Sequence, residues 1–383
     1  MPQPPMSASP ERRGLVQVDR AIADLRRGLP VIITSPGSDG FIFALAAEFA
    51  TEDRLAAILP WAPSGATLAL TANRARILHI DTFGGDETLV SLGPTMDAPT
   101  IQSLADPTAD LAHPLRGPFR ASETRPSALH AAAIKLCKLA RLLPAAVVGS
   151  PAVADTQDGS VRVADWARQN NLLVAATDDI GGYDIRSAQR LTQVASARIP
   201  LADAENARIL AFRPEDGGVE HFAILVGDPA RSEPVLTRLH SECFTGDLLG
   251  SLRCDCGEQL RGAIREISST GSGVLLYLAQ EGRGIGLINK LRAYQLQDQR
   301  YDTVDANLRL GFASDERLFL PAATMLRLLG FGSVRLMTNN PDKVQGLERW
   351  GVQVAERVPH AFPANDHNAF YLSTKAEKSG HLL

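Results

Sequence analysis

Cysteine is scarce in this chain. Four in 383 residues exclude a disulfide-stapled scaffold, and three of the four crowd together as Cys243, Cys254 and Cys256, which points to metal binding in a reducing compartment. Basic charge is not in excess either. The formal net charge is -4, so there is no broad positive field of the kind that holds a nucleic-acid backbone, although a local group of Arg and Lys can still meet a small anion. Long apolar runs are missing: no stretch of about 18 apolar residues is available to cross a bilayer, and the opening MPQPPMSASPERRG lacks the apolar core of a signal peptide. Tandem repeats and low-complexity segments are absent as well. The expectation is a cytoplasmic protein with no membrane or nucleic-acid partner.

What is present is ordinary globular material, 45% apolar and 21% charged, in a chain longer than one core usually organises. Residues 1–13, rich in Pro and Ser, read as a disordered tail. Ordered sequence is expected from near Leu15. VQVDRAIADLRRG has helical spacing at Val18, Ile22 and Leu25 and is closed by Gly28, and LPVIIT follows as a buried strand. ALHAAAIKLCKLARLL then PAAVVG, and VADWARQNNLLVAAT, repeat the helix-then-strand theme. The boundary is placed between about Gly182 and Glu215, giving domains at 14–200 and 205–383. In the second half, two apolar runs flank the polar hinge RPEDGG. PVLTRLH, GVLLYL, SVRLMT and VQVAERV read as strands, with helices between them. One of these helices has Asn340 at its N-cap, Pro341 at N1 and Gly351 past its end. The predicted class is α/β in a mixed α+β arrangement, two domains each with a mixed sheet flanked by helices.

The segment HSECFTGDLLGSLRCDCGEQL spaces its thiols as Cys-x10-Cys-x-Cys. Thiolates favour Zn2+, and three protein ligands leave a fourth tetrahedral position open, as a hydrolytic centre needs. A closed structural site would want a fourth ligand, for which His240 is the near candidate; plain buried thiols are a third reading.

With its neighbours this stretch becomes specific. RLHSECFTGDLLGSLRCDCGEQL, LYLAQEGRGIGLINKLRAYQLQDQ, YDTVDANLRLGFASDERLF, TNNPDKV and TKAEKSGHLL resemble, in order and spacing, the signature of type II GTP cyclohydrolases. The resemblance implies one Zn2+ per subunit on Cys243, Cys254 and Cys256, with GTP as substrate. It implies GTP contacts at Arg238, Leu239, His240, Ser241, Glu242, Gln259, Glu281, Gly282, Arg283, Thr303, Thr338 and Lys343. It also implies a general base at Asp315, a so-called nucleophile at Arg317, a catalytic tyrosine at Tyr294, and a homodimer. Purine opening needs water at C8, which zinc activates. Arg238, Arg283 and Lys343 would meet a triphosphate bridged by Mg2+, and Glu281 is read as the grip on the guanine edge. Arg317, always protonated, suits charge stabilisation better than attack unless Asp315 strips a proton from it.

Taken singly, these residues have plainer readings. Glu281 to Gly286 could be a Gly-rich turn, Asp315 to Arg317 a solvated turn, and Tyr294 a core residue on an apolar helical face with Leu287 and Leu291. His240 could be a packed strand-end ring and Cys137 a buried helix residue. Two other functions compete: a cyclohydrolase-like enzyme acting on another nucleotide, and a non-catalytic zinc-stabilised nucleotide sensor.

The first half resembles a 3,4-dihydroxy-2-butanone 4-phosphate synthase without its chemistry. That family's acidic, Arg-containing metal loop is replaced by SPGSDGFIF at Ser35 to Phe43, where one aspartate cannot do the work of a carboxylate cluster. Its Gly-His-Thr-Glu block maps onto Ala128, Leu129, His130 and Ala131, with the histidine one position out of register. The resemblance therefore implies a retained fold without synthase activity, serving packing, dimerisation or regulation.

Overall fold

The computed structural model describes residues 9–37, 40–93, 96–114, 117–152, 159–363, 377, 380 and 382. Ser38 and Asp39, most of the stretch DTQDGS and most of the tail TKAEKSGHLL lie outside these residues. The chain divides into two compact units. The first comprises Met1–Asp184, Leu291–Tyr301 and Asp305–Ser314; the second comprises Ile185–Lys290, Asp302–Val304 and Asp315–Leu383.

In the first unit a helix spans Pro10–Arg26 and buries Leu15, Val18, Ile22 and Leu25 along one stripe, the 3–4 spacing that puts them on one face. It starts earlier than Leu15 because Ser9 caps it, its hydroxyl accepting from the Arg12 N–H at 3.3 Å, with Pro10 in the first turn. Residues 9–13 are therefore helix and cap, not tail; residues 1–8 lie outside the described set. Strands β1 (Val31–Thr34), β2 (Phe41–Ala46), β3 (Thr67–Thr71), β4 (Glu87–Ser91), β5 (Ala145–Gly149) and β6 (Val174–Ala176) form one sheet in the order β4-β3-β5-β2-β1-β6. Only the β1/β6 pair is parallel. Cys137 is fully buried in the helix Ala128–Leu139, its thiol pushed up to about 12 by burial, so it is the inert core residue expected.

In the second unit, β7 (Leu191–Arg198), β8 (Ala207–Pro214), β9 (His221–Val226), β10 (Val235–Ser241), β11 (Gly273–Leu278), β12 (Ser333–Met337) and β13 (Gln353–Val358) make a sheet ordered β13-β12-β10-β11-β9-β8-β7. β10, β11, β12 and β13 run parallel and the other pairs antiparallel, so both sheets are mixed. Each face is covered. Leu239, Leu276 and Leu336 pack against the helices Leu320–Leu328 and Pro341–Arg349, while Leu236, Leu275 and Met337 pack against Ala263 and Ile267 of the helix Cys256–Ser269. The period-2 alternation of β10 makes this two-sided core possible.

The division differs in two places from the contiguous 14–200 and 205–383 reading. β7 pairs with β8 in the second sheet although it lies before residue 200; only Leu191 of its eight residues is buried, so it carries no core periodicity to read. Leu291–Tyr301 and Asp305–Ser314 group with the first unit because they bind there. Arg292 pairs with Glu48 at 2.6 Å and Asp106 at 3.0 Å, and Asn73 Nδ2 donates to the Phe312 carbonyl at 3.1 Å.

Candidate functional site

The carboxyl ends of β10, β11 and β12, three neighbouring parallel strands, deliver respectively Glu242 and Cys243, Gln280 and Glu281, and Thr338 to one edge of the second sheet. That edge is where open parallel sheets bind ligands.

Cys243 lies just past β10 as the N-cap of the turn that follows, Cys254 precedes the helix Cys256–Ser269, and Cys256 opens it. A wide turn, Phe244–Leu248, folds the chain back so that the three sulfurs lie within 4.8 Å of one another, with Cys243 and Cys254 Sγ 3.7 Å apart. Zinc–sulfur bonds of about 2.3 Å in a tetrahedron require sulfurs about 3.8 Å apart, so the donor set and its spacing fit a divalent ion. Gly246 closes over the group. A Cβ there would stand 2.8 Å from Cys254 Sγ and 3.1 Å from Cys243 Sγ, so only glycine permits the approach.

Hydrogen bonds from Cys254, Cys256 and Lys290 hold the Cys243 pKa well below the ordinary thiol range, while the contact with Cys243, aided by burial, pushes Cys254 up to about 11, and contacts with Cys243 and Cys254 raise Cys256. His240 does not supply a fourth ligand. Its ring is buried and pairs through Nε2 with Asp247 at 3.0 Å, stacked on Tyr277. Burial lowers its pKa against the pull of Asp247. Asp247 also accepts from the Cys243 N–H at 3.0 Å and the Tyr277 hydroxyl at 2.9 Å, which fixes the first cysteine. Among the described residues no other His, Cys, Asp or Glu joins the sulfur group.

Around it are buried cations. Arg238 donates to the Met337 carbonyl at 2.8 Å and to Gln259, which in turn donates to Asp255; its Nε has no partner among the described residues. Burial lowers its pKa to about 10, so it stays charged at neutral pH. Lys343 donates to the Leu239 carbonyl at 2.8 Å. Thr338 accepts from the Asn340 N–H at 3.0 Å and caps the turn leading to Lys343. Asp315 and Arg317 form a fork, with Nε at 2.9 Å and Nη2 at 2.5 Å from the carboxylate, and Arg317 Nη1 reaches Ser241 Oγ at 3.3 Å. Burial would raise the Asp315 pKa, but the charge and hydrogen bonds of Arg317, with Arg283 beyond, hold it below the usual range.

The turn Glu281–Gly284 places Gly282 and Arg283 at φ 64° and 60°, and Gly284 follows at 96°. It is pinned by the Glu316 N–H donating to the Arg283 carbonyl at 3.0 Å. Glu281 does not face a ligand with free oxygens. It accepts from the Phe244 N–H at 2.6 Å, the Gly282 N–H at 3.0 Å and the Lys290 ammonium at 2.8 Å, so the guanine-gripping role read from sequence is withdrawn.

Thr303 begins a short helix and is half-buried, and its segment belongs to the second unit. Tyr294 is the one catalytic candidate assigned to the first unit, half-buried in Leu291–Tyr301. Its expected apolar face is also not there. On the helix Leu287–Asp298, Leu291 and Ile288 are exposed while Asn289 and Lys290 are buried. Lys290, Asp247, Thr245 and Tyr277 were missed by sequence reasoning. Only a buried lysine breaking helical amphipathicity could have flagged one of them, and burial is not visible in a string.

A family model described as GTP cyclohydrolase II matches residues 192–359. The chain is 51% identical over 382 residues to GTP cyclohydrolase-2 of Azospirillum brasilense, covering 99% of this chain and 97% of that protein. It is 35% identical over 397 residues to riboflavin biosynthesis protein RibBA of Parabacteroides distasonis, covering 96% and 97%. A solved structure of RibBX, a two-domain 3,4-dihydroxy-2-butanone 4-phosphate synthase from A. baumannii, aligns at 19% identity with a TM-score of 0.37 over 89% of this chain and 99% of that one.

Proposed function

The chain belongs to the GTP cyclohydrolase II family, an enzyme of riboflavin biosynthesis, and on that premise we propose that it opens the GTP imidazole ring with one Zn2+ per subunit. The products are formate, pyrophosphate and a diaminopyrimidinone ribosyl phosphate. The observation that carries this is the sulfur trio of Cys243, Cys254 and Cys256 at metal-binding spacing, with no fourth side-chain ligand among the described residues. When bound there, the ion supplies Lewis acidity toward water and the purine C8.

The remaining work falls to the chain. Arg238, Arg283 and Lys343 supply positive charge for a triphosphate carrying Mg2+; the unpartnered Arg238 Nε is a donor awaiting an acceptor. Ser241, Glu242, Gln259, Gly282 and Thr303 line the substrate, with Leu239, His240 and Thr338 buried behind them as the support of that wall. Glu281 remains a member of the site by holding the loop around Cys243. Asp315, kept ionised by Arg317, orients that guanidinium and does not deprotonate it. Arg317 is thus a stabiliser of developing negative charge, and Tyr294 is proposed to relay a proton. The sensor alternative is disfavoured by the intact Asp315–Arg317 pair, and the alternative of another nucleotide is met by the GTP assay below.

We assign the cyclohydrolase to the second domain of a cytoplasmic homodimer, and no synthase activity to the first. There His130 Nδ1 is occupied as acceptor for the Ser127 N–H at 3.0 Å, a helix cap and not a catalytic group. GTP with Mg2+ should yield formate and pyrophosphate, lost with a zinc chelator and restored by Zn2+, while ribulose 5-phosphate is left unchanged. Undiminished formate release from metal-free protein would overturn the zinc reading, and turnover of ribulose 5-phosphate the reading of the first domain.

A further inference from the structure

Lys290 is buried against Cys243 and has no part in the chemistry assigned above. Its ammonium has three N–H donors, and three acceptors surround it: Glu281 Oε1 at 2.8 Å, Cys243 Sγ at 3.0 Å and Thr245 Oγ1 at 3.0 Å. The side chain is 11% exposed and that of Glu281 3%. Its position is fixed from both sides. Glu281 is clamped by the N–H groups of Phe244 and Gly282, and Thr245 lies in the same turn as Cys243. The helix Leu287–Asp298 buries this lysine at the expense of Ile288 and Leu291, which it leaves in water. Burying a charge and exposing two apolar residues is unfavourable on both counts, and such local conflict marks a functional position.

We propose that Lys290 is a positioning residue that tunes the metal centre by donating to the Cys243 sulfur. This rests on the reading that the three cysteines hold a divalent metal. Three full thiolates around a divalent ion carry a net charge of about -1 and saturate it with electron density. A charge-assisted hydrogen bond from an ammonium draws density from one sulfur. A bound ion would thereby be left more electrophilic toward an incoming ligand. Glu281 sets how much of the ammonium the sulfur receives, since it competes for the same group.

Cobalt reports on the sulfur directly. In the full-length protein loaded with Co2+, Lys290→Met should retain one metal and move the sulfur-to-cobalt charge-transfer band to lower energy. With zinc, its kcat for GTP should fall about 10–100-fold with KM nearly unchanged. Lys290→Arg should recover part of both. Should the Met variant fail to fold or to bind metal, Glu281→Gln is read instead; it frees the ammonium toward the sulfur and should move the band to higher energy. A fully loaded Lys290→Met with an unmoved band overturns the proposal and leaves the metal reading intact, as does an unmoved band in Glu281→Gln where that variant is the one read. Parent protein that takes up no cobalt sinks the metal reading, and this proposal with it.

Discussion

Two buried arginines contrast the units. Arg74, in the first, is satisfied throughout: both terminal nitrogens meet Asp110 at 2.6 and 2.8 Å, and Nε and Nη2 donate to the carbonyls of Leu104 and Ser103. Arg238, in the second, has a carbonyl, one side-chain amide and an orphaned Nε. The first is a charge closed on itself, of the kind that holds a fold together. The second keeps one donor open among the described residues. Similar mixed sheets thus carry polar interiors put to different uses, structural in one and ligand-seeking in the other.

The sharpest way to break this contrast is to remove a charge from each unit. Arg317→Met should lower kcat about 10^2–10^3-fold, the cost of losing one well-placed donor to a developing charge, with little change in the urea midpoint because Asp315 is a quarter exposed and water can replace the lost partner. Arg74→Met should do the reverse, costing about 3 kcal/mol of stability while the protein that remains folded turns over GTP at nearly the parental rate. If Arg74→Met lowered kcat as far as Arg317→Met does, Arg74 would serve the reaction and not the fold, and the contrast would fail.

The same contrast explains what could be read from the string. Helix caps and buried strands were legible because their signals are local. Asn340 accepts from the Asp342 N–H at 2.9 Å with Pro341 at N1, Gly351 follows the helix at φ 79°, and PVLTRLH and GVLLYL are the central parallel strands. The helix Thr177–Gln189 was passed over because adjacent Gly181 and Gly182 lower its propensity, and β7 because an exposed edge strand needs no apolar alternation. At the site, the cysteines were legible through their chemistry. Glu281 was misassigned and Lys290 overlooked for one reason: each is defined by the other, nine residues apart across a turn with positive φ, and no periodicity encodes that meeting.

His360 carries the smallest expected effect and places a titration in the second unit. The ring is buried, with Nε2 2.9 Å from the Gln259 carbonyl and Glu266 3.5 Å from Nδ1. Burial, aided by Arg238, His240 and Lys343, lowers its pKa to about 4, against about 6.5 for a free imidazole. Between those values the unfolded chain takes up a proton that the native ring refuses, so the stability this group provides is full above about pH 6.5 and is lost as pH falls toward 4. His360→Gln keeps a donor for Gln259 and removes the titration. Its urea midpoint should therefore decline less than the parent's between pH 7 and pH 5, by at most the share of one proton. A parallel decline in both proteins would shift the acid sensitivity to His240 or to the first unit, where burial also lowers the His130 pKa. In the latter case the first unit, and not the second, would be the part of the molecule that yields first to acid.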